Sequence, residues 1–365
     1  MNSSSNITTD YDYGPSTLDV WFLNSNLPSS LWWASYVLQA YVLGFLDVLG
    51  VILNALSFIT LHNERGKRCS QTTLLQALAV FDSLYLITNM AFFPVGAIVV
   101  VNTGSVEYHK KLIGTYMCIL QMTRLFALYA VVLVTFDRFV AIRFPLKAHS
   151  FCTTKSVLIQ IFVLVIYVCL VELVPRYLFP HIINRDYVNF TYTTITLVTT
   201  CVVPVFLVFA FNIGIISALY ASRKMTGQKS DSHKQLTRRL LAVSTTFLVC
   251  NVPLLIEGIL LQVYSDVSDA YVENIGWALN YILLLSILCV AVNSSTNFVV
   301  YCLTGARFRK TFVNTFCAPC KTCVCPHYDK DSPVKLTFVK KRRGSFSNGF
   351  TLTKSDCATS ITSIA

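Results

Sequence analysis

Seven long apolar segments constrain this chain more than any other feature of its sequence. Each approaches or exceeds about 20 residues, the length of helix that crosses a hydrocarbon core of about 30 Å. They cover residues 36–61, 72–101, 112–140, 156–178, 194–220, 239–263 and 275–302. A backbone inside a bilayer must satisfy its own hydrogen bonds, which apolar runs of this length do as helices. The sequence therefore predicts an all-α membrane protein, a seven-transmembrane helix bundle.

The basic residues predict how this bundle is oriented. The net charge of +11 at pH 7 would also suit a nucleic-acid-binding protein. However, 24 Lys and Arg lie in the segments on one side of the spans, and only four, counting Arg176, lie on the other side. By the positive-inside rule the richer side is cytosolic. We therefore expect an extracellular N-terminus, a lipid bilayer as the surroundings and no nucleic-acid partner.

The spans divide the chain into three regions. Residues 1–35 form an extracellular tail without the basic start and apolar core of a cleavable signal peptide. Residues 36–316 form the membrane domain. Residues 317–365 form a cytosolic tail that lacks apolar periodicity, so we expect disorder. Sequons on the outer side predict glycosylation at Asn2, Asn6 and Asn189.

A charged pair stands at the cytosolic end of the third span. Asp137 and Arg138 are followed by Phe139 and later by Pro145 and Leu146. Such a pair is costly to desolvate unless its charges hold each other or face a partner, and a merely interfacial role is the alternative. The run resembles the Asp-Arg-Tyr…Pro-Leu signature of rhodopsin-like (class A) G-protein-coupled receptors, with Phe139 in place of the Tyr.

Other spans carry further pieces of that family's pattern in the same order. The pieces are Asn54, Asp82, Cys250-Asn251-Val252-Pro253 and the run from Asn293 through Asn297 to Tyr301. Residues 305–312 are similar to the family's membrane-parallel eighth helix. The sequence of the seventh span is most similar to that of invertebrate FMRFamide-type neuropeptide receptors. The resemblance implies that activation and G-protein coupling involve Asp137, Arg138, Phe139, Pro253, Asn297 and Tyr301.

The resemblance implies a plasma-membrane receptor and not an enzyme. A heterotrimeric G protein is then the cytosolic partner, and arrestin binds the Ser- and Thr-rich tail. The ligand is expected to be an extracellular neuropeptide, or alternatively a small chemosensory molecule. Leu120 occupies the place of the Asp of amine receptors, and residues 275–302 contain no Lys for a retinal Schiff base. A transporter is disfavoured because no internal repeat is visible.

Several departures from the family pattern affect the expected geometry. The fourth span has no Trp, Asn251 replaces the Trp of the sixth span, and Phe298 replaces the Pro of the seventh. Because proline removes a backbone hydrogen bond, we expect a straighter seventh helix. The family's outer disulfide is also in question. Cys118 and Cys201 either form one, if their Cα atoms come within about 7 Å, or remain buried thiols.

Five ionisable residues lie within the spans and away from their ends. They are Asp47, Asp82, Arg124, Glu172 and Glu257. Insertion of an Asp or Arg at the bilayer centre costs roughly 2.5–3.5 kcal/mol, so each should be paired or functional. The resemblance places Asp82 in a polar network with Asn54, Asn293 and Asn297 that suits an allosteric sodium ion. A buried Asp82 that stays neutral is the alternative.

Arg124 is the single basic residue among these five. It lies 14 residues before Arg138, which places it about 21 Å further out on the same side of the helix. Arg124 either binds an anionic or carbonyl group of the ligand or pairs with Glu172 or Glu257. Asp47 and Glu257 either line the pocket, pair across it, or belong to a solvated rim, which we favour. The pocket candidates are Leu120, Gln121, Arg124, Asn251, Leu254, Glu257 and Ile287.

Four cysteines follow the eighth-helix segment. They are Cys317, Cys320, Cys323 and Cys325. Thiols directly after an amphipathic juxtamembrane helix favour S-palmitoylation. A zinc site that includes His327 is the less favoured alternative.

Overall fold

The computed structural model describes residues 29–64, 70–103, 107–182, 185–226, 231–264 and 269–316. Seven of its helices are long and apolar enough to cross a membrane, which confirms the predicted fold. The helices are α1 (Ser29–Val37, a π-helical turn Leu38–Leu43, Gly44–Asn63), α2 (Ser70–Phe92, Pro94–Thr103), α3 (Glu107–Arg143), α4 (Thr154–Leu173, a π-helical turn Val174–Leu178, Phe179–Ile182), α5 (Arg185–Leu197, a π-helical turn Val198–Val202, Val203–Thr226), α6 (Asp231–Cys250, Val252–Tyr264), α7 (Asp269–Thr304) and α8 (Ala306–Phe316). A short helix, Pro145–Phe151, lies between α3 and α4.

Two predicted spans are interrupted where the sequence predicts one continuous helix. The second span breaks at Phe93, directly before Pro94, and the sixth breaks at Asn251, two residues before Pro253. Proline has no amide hydrogen to continue the helical hydrogen-bond series, and it disfavours helical geometry in the residue before it. The breaks therefore follow from local chemistry that the hydropathy pattern does not record.

Helix α3 occupies the centre of the bundle. It contacts α2, α4, α5 and α6, whereas α1 contacts α2 and α7, and α6 contacts α7. The central position of α3 is reflected in its burial, since all six residues Ala127–Val132 are buried. A helix that is buried over more than one full turn is surrounded by other helices along that stretch. The residues of α3 that the sequence analysis selected are thus held inside a ring of six helices.

The outer surface of the ring is apolar, as a lipid-facing surface must be. Phe162 on α4 and Phe206 on α5 are two of the exposed large side chains. Inside, the buried apolar residues form two main clusters. One includes Leu78, Phe247 and Tyr301, and the other includes Leu120, Cys201 and others on α2, α6 and α7.

Helix α1 packs tightly on α7 through small residues. A Cβ atom on Gly50 would overlap Ser295, whose hydroxyl donates to the Leu46 carbonyl at 3.2 Å. Helix α7 is uninterrupted from Asp269 to Thr304 and includes Phe298. Small residues let helix backbones approach closely in a membrane, where packing drives helix association. This contact fixes α1 against the helix that carries the Asn297 motif.

Candidate functional site

The Asp137–Arg138 pair is buried at the inner end of α3. The Arg138 guanidinium lies 3.8 Å from the Asp137 carboxylate. One turn or less before them, the Thr135 hydroxyl lies 3.3 Å from the Ser244 hydroxyl of α6. The thiol of Cys152 donates to the Asp137 carbonyl at 3.7 Å. The two charges therefore hold each other, and a polar contact joins α3 to α6 beside them.

Phe139, which replaces the motif's tyrosine, packs against α5. Its ring stacks on Phe211 with centroids 5.5 Å apart and meets Phe144 edge-on at 6.0 Å. The close approach requires a glycine, because a Cβ atom on Gly214 would overlap the Phe139 ring. Without a hydroxyl, Phe139 contributes packing where a tyrosine would also offer a hydrogen bond.

A buried polar network joins α1, α2 and α7. The Asn297 amide donates to Asp82 Oδ2 at 2.7 Å, and the Asn54 amide donates to the Ser294 carbonyl at 2.8 Å. Asn293 was predicted to be a further member of this network, but it does not join the network within the described residues. Asn293 is buried but makes no hydrogen bond to Asp82 there, whereas Ser294 lies beside that carboxylate. The rotation of α7 decides between these two neighbours.

Phe298 joins α7 to α8. Its ring meets Phe308 at 5.8 Å and Phe312 at 5.3 Å, and Tyr301 meets Phe308 at 5.6 Å. Arg309 of α8 donates to the Cys302 carbonyl at 2.7 Å, which satisfies a carbonyl at the end of α7. The residue that replaces the family's proline is thus an aromatic anchor for α8.

Asn251, which replaces the family's tryptophan, turns back onto its own helix. Its amide donates to the Phe247 carbonyl at 2.8 Å, two residues before Pro253. The side chain is buried, and its Oδ1 has no partner within the described residues.

Asp47 is buried, so the favoured prediction of a solvated rim is wrong for this residue. Both of its carboxylate oxygens accept from the Asn89 amide, at 3.1 and 2.9 Å. The Tyr85 hydroxyl then donates to Asn89 Oδ1 at 3.4 Å. Glu257 is also buried, with 8% of its surface exposed, and it lies beside Ser286. Burial leaves these carboxylates dependent on protein partners instead of water.

Arg124 lies in the outer half of the bundle without an ion-pair partner among the described residues. It interacts electrostatically with Glu257, Glu172 and Tyr85, but neither carboxylate comes within 4.0 Å of it. The predicted partner Glu172 instead pairs with Arg176, as described below. Of the two roles predicted for Arg124, the structural ion pair is therefore not formed.

Several of the predicted pocket residues are apolar and pack together. Leu120, Leu254 and Ile287 belong to one buried cluster, together with Cys201, whose thiol donates to the Leu254 carbonyl at 3.7 Å. Gln121 is half-buried, and its Oε1 has no partner within the described residues. The candidates named from sequence thus converge from α3, α6 and α7 on one region beneath the outer ends of the helices.

A family model described as the 7 transmembrane receptor (rhodopsin family) matches residues 53–301. This chain belongs to the rhodopsin family of seven-transmembrane receptors. The receptor is 28% identical over 311 residues to FMRFamide peptide receptor frpr-18 of Caenorhabditis elegans, a match that covers 76% of this chain and 69% of that one. It is 25% identical over 303 residues to the FMRFamide receptor of Drosophila melanogaster, covering 75% and 53% of the two chains.

A third relative is the allatostatin-A receptor of Bombyx mori, which is 22% identical over 76% of this chain and 79% of that one. The receptor spans about half the length of the Drosophila relative. These matches confirm the resemblance inferred from the motifs, including its similarity to FMRFamide-type receptors. The chain is a multi-pass membrane protein and a G-protein-coupled receptor.

Sequence reasoning missed a buried ion pair at the outer end of α4. Arg176, counted with an outer loop, is buried in the π-helical turn of α4 and lies 4.0 Å from Glu172. Its guanidinium stacks over the Tyr192 ring of α5 at 5.1 Å. The spacing of four residues within an apolar span is a signal that would have found the pair.

The same region shows whether Cys118 and Cys201 form a disulfide. Cys118 and Cys201 are both buried, free thiols, which agrees with the second of the two alternatives. Arg176 interacts electrostatically with Cys118 on α3 while it contacts Tyr192 on α5. In this receptor a buried arginine therefore joins α4 and α5 near the place where the family has its disulfide.

Some predicted sites lie outside what the structure describes. The sequons at Asn2 and Asn6 and the four-cysteine cluster belong to residues that it does not describe, and for Asn189 it describes only the backbone. Asn89 and Tyr85, which form hydrogen bonds in the Asp47 network, were also not predicted from the sequence. No motif surrounds them, and they are recognised only because α2 places them next to Asp47.

Proposed function

We propose that this receptor is activated by an extracellular peptide. The observation that carries the proposal is the Arg124 guanidinium, which is held in the outer half of the bundle without an ion-pair partner among the described residues. A desolvated guanidinium is costly alone and binds carbonyl or anionic groups well, and peptides present many carbonyl groups. The relatives named for FMRFamide and allatostatin-A support the same ligand class.

Signal transfer is proposed to run from this pocket to the cytosolic face. Helix α6 is interrupted at Asn251, two residues before Pro253, and this break lies between the pocket and Ser244, which contacts Thr135 beside Arg138. Proline-associated breaks are hinge points in helices. Outward movement of the inner half of α6 would expose Asp137, Arg138 and Phe139 to a G-protein helix, while Asn297 and Tyr301 keep α7 in register.

A sodium ion at Asp82 is proposed as an allosteric ligand. Two buried oxygens there, Asp82 Oδ1 and Ser294 Oγ, have no hydrogen-bond partner within the described residues. Carboxylate and hydroxyl oxygens suit a hard cation. Ala127 supplies no oxygen, so water would complete the coordination. The residues present fit the ion, and Asp82 would hold it.

The remaining proposals concern the termini and the location. The receptor is expected in the plasma membrane with its N-terminus outside and with glycans at Asn2, Asn6 and Asn189. Palmitoylation of Cys317, Cys320, Cys323 and Cys325 would hold α8 at the membrane surface, where its buried Phe308 and exposed Arg307 and Lys310 suit an interface. The Ser- and Thr-rich tail would bind arrestin after phosphorylation.

A peptide screen tests the main proposal. Cells expressing the receptor and a promiscuous G protein are exposed to a panel of synthetic peptides and, separately, to small odorants. We expect saturable calcium responses to at least one peptide, and loss of potency when Arg124 is changed to Gln at equal surface expression. Responses confined to the odorants would assign the chemosensory function instead.

A further inference from the structure

Three sulfur-containing side chains come together between α3 and α4. The Cys118 thiol lies 4.0 Å from the Met122 thioether, one turn further along α3. Cys118 also interacts electrostatically with Cys169 on α4. Residues four apart share a helix face, and Met122 packs against the buried cluster that includes Val168 of α4. Two thiols and a thioether from two neighbouring helices are therefore gathered in one region of the bundle.

The separation of the two α3 sulfurs is that of two ligands on one metal ion. A metal–sulfur bond is about 2.3 Å long, so two sulfurs of a trigonal site lie about 4.0 Å apart. The sulfurs of Cys118 and Met122 already have this separation. Cys118 is buried, and Met122 and Cys169 are half-buried, so little water competes for the site. An ion held there would leave the spacing of the α3 sulfurs unchanged.

The ligand atoms restrict which ion this region suits. Thiolate and thioether sulfur are soft ligands that favour Cu(I), whereas Ca²⁺ and Mg²⁺ take oxygen ligands. Structural Zn²⁺ sites take four ligands from Cys, His, Asp and Glu. Across the part of the chain that the structure describes, no three such side chains are arranged for a metal ion. Two cysteines with a methionine therefore indicate Cu(I).

A cation beside the sulfurs offsets the charge of such a site. Cu(I) with two thiolates carries one net negative charge, which is costly to bury without a counter-ion. The Arg176 guanidinium interacts directly with Cys118 and supplies the opposite charge. Glu172, which pairs with Arg176, also interacts with Arg124 and so has a second cation near it. The surroundings of Cys118 thus suit an anionic copper–thiolate centre.

We propose that Cys118, Met122 and Cys169 bind one Cu(I) ion between α3 and α4. Binding releases the two thiol protons to solvent and transfers no electron, so that two thiolates and one thioether become the ligands. The bound ion joins α3 to α4 next to the contact by which Arg176 joins α4 to Tyr192 of α5. This site is independent of the class of ligand that activates the receptor.

The test measures Cu(I) binding to the purified full-length receptor in lipid nanodiscs. Cys317, Cys320, Cys323 and Cys325 are changed to Ser in every sample, because clustered thiols also bind Cu(I). Cu(I) alone is added without oxygen, in competition with a chromophoric Cu(I) chelator. We expect one bound equivalent, and X-ray absorption should show three sulfur ligands at about 2.3 Å. No binding, or an ion with nitrogen or oxygen ligands, would overturn the proposal.

Variants assign the ion to the three side chains. Met122→Leu removes the thioether with little change in volume, so the affinity for Cu(I) should fall at least about tenfold and one sulfur ligand should be lost. Cys169→Ala removes a thiolate and should weaken binding further. Cys289→Ala is the matched control, since Cys250 and Cys289 form another pair of neighbouring thiols, and it should leave the affinity unchanged. Weaker binding in Cys289→Ala, with unchanged binding in Met122→Leu, would place the ion between α6 and α7 and contradict the assignment.

Discussion

Asn297 donates a 2.7 Å hydrogen bond to Asp82 from the position directly before Phe298, where the family has a helix-bending proline. The polar contact between α7 and α2 is therefore formed by an uninterrupted helix. Phe298 points instead to α8, where it meets Phe308 and Phe312. In this receptor the seventh helix is held by an aromatic contact on one side and by the Asp82 network on the other.

Phe298→Pro should destabilise the receptor, although it restores the family's residue. It removes one helical backbone hydrogen bond and both ring contacts with α8, and we expect a loss of about 3 kcal/mol or more. The measurement is the thermal unfolding midpoint in nanodiscs. Phe298→Leu is the matched control, which keeps the backbone bond and should lose only about 1 kcal/mol of aromatic interaction. An unchanged midpoint in Phe298→Pro would show that the ring contacts do not hold α8.

Sodium should raise the thermal midpoint of the ligand-free receptor, and Asp82→Asn should abolish this effect. The variant keeps an oxygen that can accept from Asn297 but loses the charge that a cation requires. Midpoints are compared in sodium chloride and in choline chloride at equal ionic strength. The stabilisation should grow with the logarithm of the sodium concentration above its dissociation constant. The same midpoint in both salts would rule out a sodium site.

Gly214→Ala should destabilise the receptor, because the added Cβ atom overlaps the Phe139 ring. Overpacking of this kind costs about 1–3 kcal/mol. Phe139→Leu removes the overlapping ring atoms, so the double variant should be more stable than the sum of the two single effects predicts. Surface expression and the thermal midpoint of all four receptors complete the cycle. Strictly additive effects would mean that the two residues do not touch.

Removal of either partner of the Glu172–Arg176 pair should be more harmful than removal of both. Glu172→Gln leaves a buried guanidinium, and Arg176→Met leaves a buried carboxylate, each at a cost of about 3–5 kcal/mol. The double variant leaves no unpaired charge and should recover part of that loss. The readout is cell-surface expression together with the thermal midpoint. A double variant that is less stable than both single variants would show that the pair is not a unit.

The number of transmembrane helices and the family could be predicted from the amino-acid sequence. Both follow from local properties: the length of each apolar run against the thickness of a bilayer, and short motifs with fixed spacing. Five of the charges within the spans were also identified, since an ionisable side chain in an apolar span is expensive wherever it points, whereas Arg176 was assigned to a loop. The breaks at Phe93 and Asn251 were readable from the adjacent prolines, although the hydropathy pattern alone does not show them.

The partners of these charges could be identified only from the packing of the helices. Asp47 accepts from Asn89, Glu172 pairs with Arg176, and Arg124 and Glu257 remain separate. Except for Glu172, these relationships join residues far apart in the chain, and they depend on how each helix is rotated about its axis. That rotation is set by packing of the whole bundle, as where Gly50 meets Ser295 and Gly214 meets Phe139. A rotation of one residue, about 100°, would exchange every partner.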